Sequence, residues 1–245
     1  DYIYRHWRRP LTQIMWEAID RASREQLYDR IIVGDSVAYQ LFNASNQKNS
    51  RYFHLPTNAA TTLMGHYILL MEYAKHNDLK EIVILLHPYS LKDNLDRKYT
   101  ANYVVGVFFR KPYRGYITPY AEKQIKNCPW WFIPIWLRHF PELCLINYQD
   151  VNPPPFGCNI YISPLSLEYI QMLGRYCEIN QVDLKIVAPP LPEPQLHLDF
   201  SFMKEQIAAH GLSKYFENYF NFTSMPADEF VDELHPKTLF LSKAR

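Results

Sequence analysis

The sequence predicts a single α/β domain with a mainly parallel sheet, and three observations lead to that prediction. Short β-branched or wholly apolar segments alternate with longer segments whose apolar residues recur at helical spacing. Strands and helices that alternate in this order form right-handed βαβ units, whose strands run parallel. The chain has 245 residues, of which 48% are hydrophobic and 21% charged, so one domain, 1–245, with a substantial core is expected.

The predicted elements follow one another from the N-terminus. Residues 1–29 form an amphipathic, largely polar segment, which predicts a helix that lies against the domain. Residues 30–33 are a β-branched run and predict the first strand, while residues 36–46 predict a helix. The segment 52–55 predicts a second strand, which Pro56 closes.

The middle elements carry the strongest signals. Residues 59–76 predict a long helix with an apolar stripe, for which Thr57 or Asn58 is the expected cap. Residues 81–86 are almost wholly apolar, as expected of a strand that is covered on both faces.

The last elements follow a long interruption. Residues 92–160 are rich in aromatic residues and proline and lack clear periodicity, so they predict an insertion at the carboxyl edge of the sheet, where α/β folds bind ligands. Ser163 and Pro164 then open a helix that runs to about Asn180, with the serine as its cap. Residues 184–188 predict a further central strand.

The composition argues against several classes of partner and cofactor. The formal net charge is +1, and no nucleic-acid-binding signature is present. The chain has only 7 glycines and no Gly-rich phosphate loop, and its histidines lack metal-ligand spacing, so we predict neither a cofactor nor a metal. No apolar run is long enough to predict a membrane span. The cysteines lack C-x-x-C spacing, which leaves both a disulfide and buried free thiols open; they are Cys128, Cys144, Cys158 and Cys177.

Residues 34–36 form the first motif that predicts chemistry. Gly34, Asp35 and Ser36 end the first strand and precede a helix, which places the serine at a helix N-terminus. Backbone N–H groups there favour a developing negative charge, and the N–H of Ser36 is one predicted oxyanion donor. A simple turn with Ser36 as a helix cap explains the same tripeptide, because all three residue types favour turns.

A second motif near the end of the chain favours the chemical interpretation. Asp232 lies three residues before His235, so its carboxylate can hold the imidazole in the tautomer that accepts a proton. Geometry and role define a Ser-His-Asp triad, whose members can lie far apart in sequence. The two motifs together predict a triad of Ser36, His235 and Asp232.

With these motifs the chain resembles the SGNH (GDSL-like) hydrolase superfamily. The resemblance covers the first strand with Gly34-Asp35-Ser36, the alternating α/β body and the terminal Asp232-x-x-His235. It implies a flavodoxin-like, three-layer α/β/α sandwich. It also implies that Ser36 is the nucleophile, His235 the general base and Asp232 the orienting acid.

Two blocks of the superfamily pattern are missing. Its members usually have a glycine after the second strand and Gly-x-Asn-Asp after the third, and this chain has neither at those places. A backbone N–H near Ala59 is the expected substitute for the glycine. Asn58 is the expected substitute for the asparagine side chain, unless that donor is not replaced. Because the loss of one oxyanion donor costs about 2.7–4 kcal/mol of transition-state stabilisation, weak or narrow activity is the alternative to a rebuilt site.

By its block order and its long insertion, the chain resembles the divergent members that add or remove O-acyl groups on bacterial cell-surface polysaccharides. An acylated glycan or a small ester is therefore the implied substrate. Arg110 and Arg114 stand among aromatic residues in the insertion, which suits an anionic glycan and equally a solvated loop. The Trp-rich run at 130–136 is interpreted as a small secondary core, with a membrane-interface patch, a sugar platform and a lid as alternatives. Further predicted substrate contacts are Asp35, His87 and Tyr89.

The same resemblance implies a location and leaves a second function open. We expect an extracytoplasmic place, in the cell envelope or secreted, with a cytoplasmic one left open. Because the first residue is Asp1, we expect an N-terminal anchor or leader in a longer protein, and an anchor would hold the domain near a membrane. The leading hypothesis is a serine esterase or O-acyltransferase with an acyl-enzyme intermediate. The alternative, which the missing blocks favour, is a non-catalytic carbohydrate-binding or assembly module of a polysaccharide or envelope system.

Overall fold

A four-stranded parallel sheet flanked by helices forms the body of the protein. The computed structural model describes residues 10–42, 47, 50–58, 61–95, 100, 103–104, 106–108, 111–126 and 158–237. Their mixed α/β arrangement is that of a three-layer α/β/α sandwich, so the fold class predicted from the sequence is confirmed.

Strands and helices alternate along the chain as the pattern predicts. In order, the first elements are α1 (Pro10–Ala22), β1 (Arg30–Gly34), α2 (Ser36–Leu41), β2 (Phe53–Pro56), α3 (Thr62–Ala74) and β3 (Glu81–Leu85). They are followed by α4 (Pro88–Leu91), α5 (Gly106–Phe108), α6 (Pro119–Lys126), α7 (Pro164–Asn180), β4 (Asp183–Val187), β5 (Leu191–Pro192), α8 (Ser201–Ala209) and β6 (Ser224–Met225). Short 3₁₀ turns lie at Lys111–Tyr116, Glu193–His197, Ser213–Tyr215 and Ala227–Glu229.

The strand order of the sheet is β2-β1-β3-β4, and all neighbours are parallel. Gly34, the last residue of β1, lies opposite Pro56 on one side and Leu85 on the other. A Cβ atom on Gly34 would stand 2.0 Å from the carbonyl oxygen of Leu85, so only glycine fits between the two strands. The loops after β1 and β3 therefore leave the same edge of the sheet side by side.

The two faces of the sheet are covered by different helices. The main core joins strand residues such as Val33 and Ile84 to α1, α3 and α7. On the opposite face, Leu85 packs against α2, and Leu234 from near the C-terminus joins this smaller cluster. Side chains alternate between the faces of a strand, so the apolar run of β3 supplies both clusters.

The predicted cap of α7 is correct, and that of α3 is wrong. Ser163 caps α7, because its Oγ accepts the backbone N–H of Ser166 at 3.1 Å. Neither Thr57 nor Asn58 caps α3, whose N-cap is Thr61 with no side-chain hydrogen bond. The N–H of Thr57 instead donates to the carbonyl of Gly34 at 2.8 Å. The backbone thus continues the sheet pairing past Pro56, and the helix begins later than its apolar stripe suggested.

The described part of the insertion contains short helical elements. Residues 92–160 contribute α5, the 3₁₀ turn at Lys111–Tyr116 and α6. The Trp-rich run lies outside the described residues. Cys158 and Cys177 are free thiols, and burial raises the pKa of Cys177 to about 12. Cys128 and Cys144 lie outside the described ranges. None of the helices in those ranges is long and apolar enough to cross a lipid bilayer.

Candidate active site

Ser36, His235 and Asp232 meet in one hydrogen-bonded line. The Oγ atom of Ser36 lies 2.9 Å from Nε2 of His235, although 199 residues separate them. On the other side of the ring, Nδ1 of His235 lies 2.7 Å from Oδ2 and 3.0 Å from Oδ1 of Asp232. A carboxylate at Nδ1 holds the proton on that nitrogen, which leaves Nε2 free to accept the hydroxyl proton.

The loop that carries Asp232 and His235 is closed largely by its own bonds. The carboxylate of Asp232 accepts the backbone N–H groups of Leu234 and His235, each at 2.8 Å. The N–H of Val231 donates to the carbonyl of His235 at 2.7 Å, and Phe230 forms an antiparallel bridge with Pro236. The short Asp-x-x-His spacing is therefore a structural unit that presents the imidazole.

The environment of Asp232 favours its charged form. Partial burial by itself would raise the pKa of this carboxyl group. The two backbone N–H groups and the imidazole of His235 outweigh that effect and hold the pKa of Asp232 below its usual value. These contacts therefore favour Asp232 as a carboxylate that accepts the proton on Nδ1 of His235.

Asp35 is buried and accepts hydrogen bonds that its motif did not predict. One carboxylate oxygen accepts the N–H groups of Val37 and Ala38, which makes Asp35 the N-cap of α2. The other accepts the N–H of His87 at 2.8 Å and the hydroxyl of Ser90 at 2.6 Å. Asp35 is 0% exposed. A substrate therefore has no open path to its carboxylate, which was a predicted substrate contact.

This cap also changes the expected oxyanion site. Ser36 is the first residue of α2 rather than its cap, and Asp35 already neutralises the start of the helix. No hydrogen bond among the described residues uses the backbone N–H of Ser36. That single N–H, beside the Ser36 hydroxyl, is the donor that the Gly-Asp-Ser turn offers.

His87 is buried behind the site. Its Nδ1 accepts the backbone N–H of Tyr89 at 3.2 Å, so the ring proton is on Nε2, which donates to Oε1 of Gln195 at 2.9 Å. Burial lowers the pKa of His87 and keeps the ring neutral, and the nearby His235 acts in the same direction. Because both nitrogens are engaged within the protein, His87 faces the network around Asp35 and not solvent.

The remaining predicted contacts are distributed over several places. The ring of Tyr89 lies 5.0 Å from that of His87, and the ammonium group of Lys92 lies 4.7 Å from the Tyr89 ring. Arg114 is exposed in the 3₁₀ turn of the insertion, and no described contact joins it to Ser36. Asn58 is partly buried just beyond β2. Ala59 and Arg110 lie outside the described residues.

Two residues near the site were not predicted from the sequence as part of it. Gln195 joins His87 to the loop of Asp232, but a single glutamine in a Pro-rich segment carries no recognisable spacing. His66, on α3, is fully buried, and neither of its ring nitrogens has a hydrogen-bond partner among the described residues. Burial lowers the pKa of His66 to about 4, although the charge of Asp35 opposes this. Its place on an apolar helix stripe could have indicated a core histidine.

No protein-family model, no curated protein and no solved structure matches the chain significantly.

Within the described ranges, no group of three or more His, Cys, Asp or Glu side chains is arranged to hold a metal ion. The site is thus defined by its own geometry: a serine, an imidazole and a carboxylate in hydrogen-bonding order at the carboxyl edge of a parallel sheet.

Proposed function

We propose that the protein is a serine esterase or O-acyltransferase that acts on acyl groups of a cell-surface glycan. The observation that carries the proposal is the hydrogen-bonded line from Ser36 Oγ through His235 to Asp232, with distances of 2.9 Å and 2.7 Å. Distances of about 2.6–3.2 Å between nucleophile and base are those at which a serine is activated. A module that only binds a sugar has no need of all three groups in this order.

The reaction follows from these positions. Ser36 attacks the carbonyl carbon of the acyl group while Nε2 of His235 accepts its proton, and Asp232 stabilises the imidazolium that forms. The imidazolium then gives the proton to the departing alcohol, which leaves an acyl group on Ser36. Water or a sugar hydroxyl, deprotonated by His235, attacks this ester and restores the serine. Water as the second nucleophile gives hydrolysis, and a hydroxyl gives transfer.

A sparse oxyanion site predicts a slow reaction. The N–H of Ser36 is one donor for the oxyanion, and the block after β3 contributes His87, whose ring is already fully hydrogen-bonded. Each missing donor costs about 2.7–4 kcal/mol of transition-state stabilisation. We therefore propose turnover well below that of an efficient esterase on small activated esters.

The openness of the triad supports a large substrate. The side chain of His235 is 24% exposed and that of Asp232 is 55% exposed. As far as the described residues show, a polymer can reach these two side chains from solvent. Together with the superfamily resemblance, this supports an acylated polysaccharide as substrate, and an extracytoplasmic place near a membrane as the setting.

The second candidate is a non-catalytic carbohydrate-binding or assembly module. It is favoured by the absence of the glycine and Asn-Asp blocks from the sequence after β2 and β3. The two candidates differ in one property, because only the enzyme has a serine that reacts faster than an ordinary hydroxyl.

A fluorophosphonate probe tests this difference. We expect the wild-type protein to be labelled at Ser36, and Ser36→Ala and His235→Ala to lose the label. Ser201→Ala, which removes an exposed serine at the start of α8, is the matched control and should label as the wild type does. Absence of labelling in the folded wild type would favour the binding module. Acetate release from an O-acetylated polysaccharide, compared with p-nitrophenyl acetate, then tests the substrate class.

A further inference from the structure

The side-chain amide of Gln195 connects two parts of the site that are otherwise separate. Its Oε1 accepts Nε2–H of His87 at 2.9 Å, and its Nε2 donates to the backbone carbonyl of Glu233 at 2.6 Å. Gln195 is 9% exposed, so water does not readily replace either bond. Both ends of one amide are thus used in a buried place.

The orientation of this amide is fixed by its neighbours. Nδ1 of His87 accepts the N–H of Tyr89, so Nε2 carries the ring proton and requires an acceptor. The amide oxygen of Gln195 must therefore point to His87, and its NH₂ group must point to the carbonyl of Glu233. A flipped amide would set donor against donor and acceptor against acceptor.

Few hydrogen bonds join the loop of Asp232 and His235 to the body of the protein. In the described part of the chain, two hydrogen bonds join residues 226–237 to residues outside them: Ser36 with His235, and Gln195 with Glu233. The other hydrogen bonds of this segment lie within it. Of the two, only the bond from Gln195 remains in place while Ser36 and His235 exchange a proton.

The same amide leads back to the nucleophile. Gln195 holds the ring of His87, whose backbone N–H donates to Asp35, and Asp35 caps the helix on which Ser36 stands. A continuous chain of hydrogen bonds therefore runs from the turn of Ser36 to the loop of His235 without passing through the reacting atoms.

We infer that Gln195 is a positioning residue, which sets the His235 loop relative to Ser36 and so determines how well the imidazole accepts the serine proton. This inference rests on the proposed serine chemistry. A displacement of about 1 Å in such a pair can reduce the rate about 100-fold. Gln195 touches neither substrate nor the reacting atoms, and it acts through the carbonyl of Glu233.

Gln195→Glu tests this role at nearly constant shape. An ionised carboxylate still accepts from His87 but repels the carbonyl of Glu233, whereas a protonated carboxyl donates as the amide does. The introduced group faces the His87 ring and the Glu233 carbonyl, and the charged or titratable groups that act on that ring are Asp35, His235 and Lys92. We expect the second-order rate of fluorophosphonate labelling at pH 8 to fall about 10- to 100-fold. The ratio of the variant rate to the wild-type rate should rise as the pH is lowered.

The matched control is Gln206→Glu on α8. The amide of Gln206 also bridges two backbone groups, the N–H and the carbonyl of Ile162, at 2.8 and 3.0 Å. Gln206→Glu therefore loses the same amide donor away from the triad loop. The ratio of its labelling rate to the wild-type rate should stay near one at every pH. With p-nitrophenyl acetate, Gln195→Glu should lower kcat and leave KM nearly unchanged.

The outcomes separate this inference from the proposed function. If wild type is not labelled at Ser36, the serine chemistry itself fails, and the positioning role falls with it. If wild type is labelled and folded Gln195→Glu reacts as fast, with a flat pH ratio, the positioning role is wrong and the enzyme remains. If Gln195→Glu does not fold, Gln195→Met, which has similar length but no polar group, replaces it. Equal labelling of a folded Gln195→Met would likewise overturn the role.

Discussion

Asp35 and Asp232 each accept two backbone N–H groups from the residues that directly follow them, yet they lie in opposite surroundings. Asp35 is 0% exposed and also holds His87 and Ser90, which belong to another part of the chain. The side chain of Asp232 is 55% exposed and bonds only within its loop, to Leu234 and His235. The serine side of the site is thus part of the core, while the histidine side is a surface loop. Burial therefore suits Asp35 to a role in stability, while the exposure of Asp232 suits it to the role in the chemistry that we propose.

The largest expected effect concerns reactivity on the exposed side. Asp232→Asn should reduce fluorophosphonate labelling of Ser36 about 10³- to 10⁴-fold, because the amide no longer holds His235 in the accepting tautomer. Urea unfolding should change little, since the bonds of Asp232 are local and exposed. The control is Asp228→Asn, an exposed aspartate of the same segment, which should label as wild type. Full reactivity of Asp232→Asn would show that the carboxylate does not orient the base.

The second effect is on stability and belongs to the buried side. Asp35→Asn should lower the free energy of unfolding by about 2–4 kcal/mol, because its NH₂ group would face the buried donors of His87 and Ser90. Urea titration measures this loss. Asp199→Asn is the matched control, since Asp199 accepts the N–H of Ser201 at the start of α8 but is exposed. A loss no larger than that of the control would contradict the distinction between the two aspartates.

The buried side also predicts a dependence of stability on pH. His66 has a pKa of about 4 in the folded protein and about 6.5 when unfolded, so the unfolded chain binds more protons between these values. Folding stability should therefore fall as the pH drops from 6.5 towards 4, by up to about 3 kcal/mol from this residue. Urea unfolding at pH 7 and pH 4.5 should show a smaller difference in His66→Leu than in wild type.

A control separates His66 from the general effect of acid. His76→Leu removes an exposed histidine just beyond the end of α3 and should leave the difference between the two pH values as large as in wild type. If His66→Leu retains the full difference, the buried histidine is not its source.

The smallest expected effect concerns how much each hydrogen bond of Asp35 contributes to the free energy of unfolding. Ser90→Ala removes one hydroxyl donor and leaves the carboxylate with its three backbone partners. The free energy of unfolding should fall by about 1 kcal/mol, the net contribution of one such bond. A urea titration that shows a loss as large as that of Asp35→Asn would mean that Ser90 dominates this network.

The parts of the molecule that sequence reasoning predicted are those with local patterns. The strand before Gly34 is marked by β-branched residues, and the Asp232-x-x-His235 spacing fixes its own loop through bonds three residues apart. The cap of α7 was predictable because Ser163 and Pro164 act within one turn.

The parts that were missed depend on contacts between distant residues. The helical pattern of α3 could not show that Thr57 still pairs with β1, because that bond joins separate strands. The function of Gln195 depends on β5, which pairs with β6 more than thirty residues later and so brings the 3₁₀ turn of Gln195 beside the triad loop. No spacing within the sequence records such a meeting.

Ser36 and His235 are 199 positions apart in the sequence, which has a consequence for the time at which the proposed triad can form. A ribosome that adds about 5–20 residues per second delivers the histidine about 10–40 s after the serine. During that interval the nascent chain holds a serine without a base. Under the proposed serine chemistry, reactivity begins only when the loop of His235 has docked beside Ser36, and a chain that breaks off before that loop is released without it.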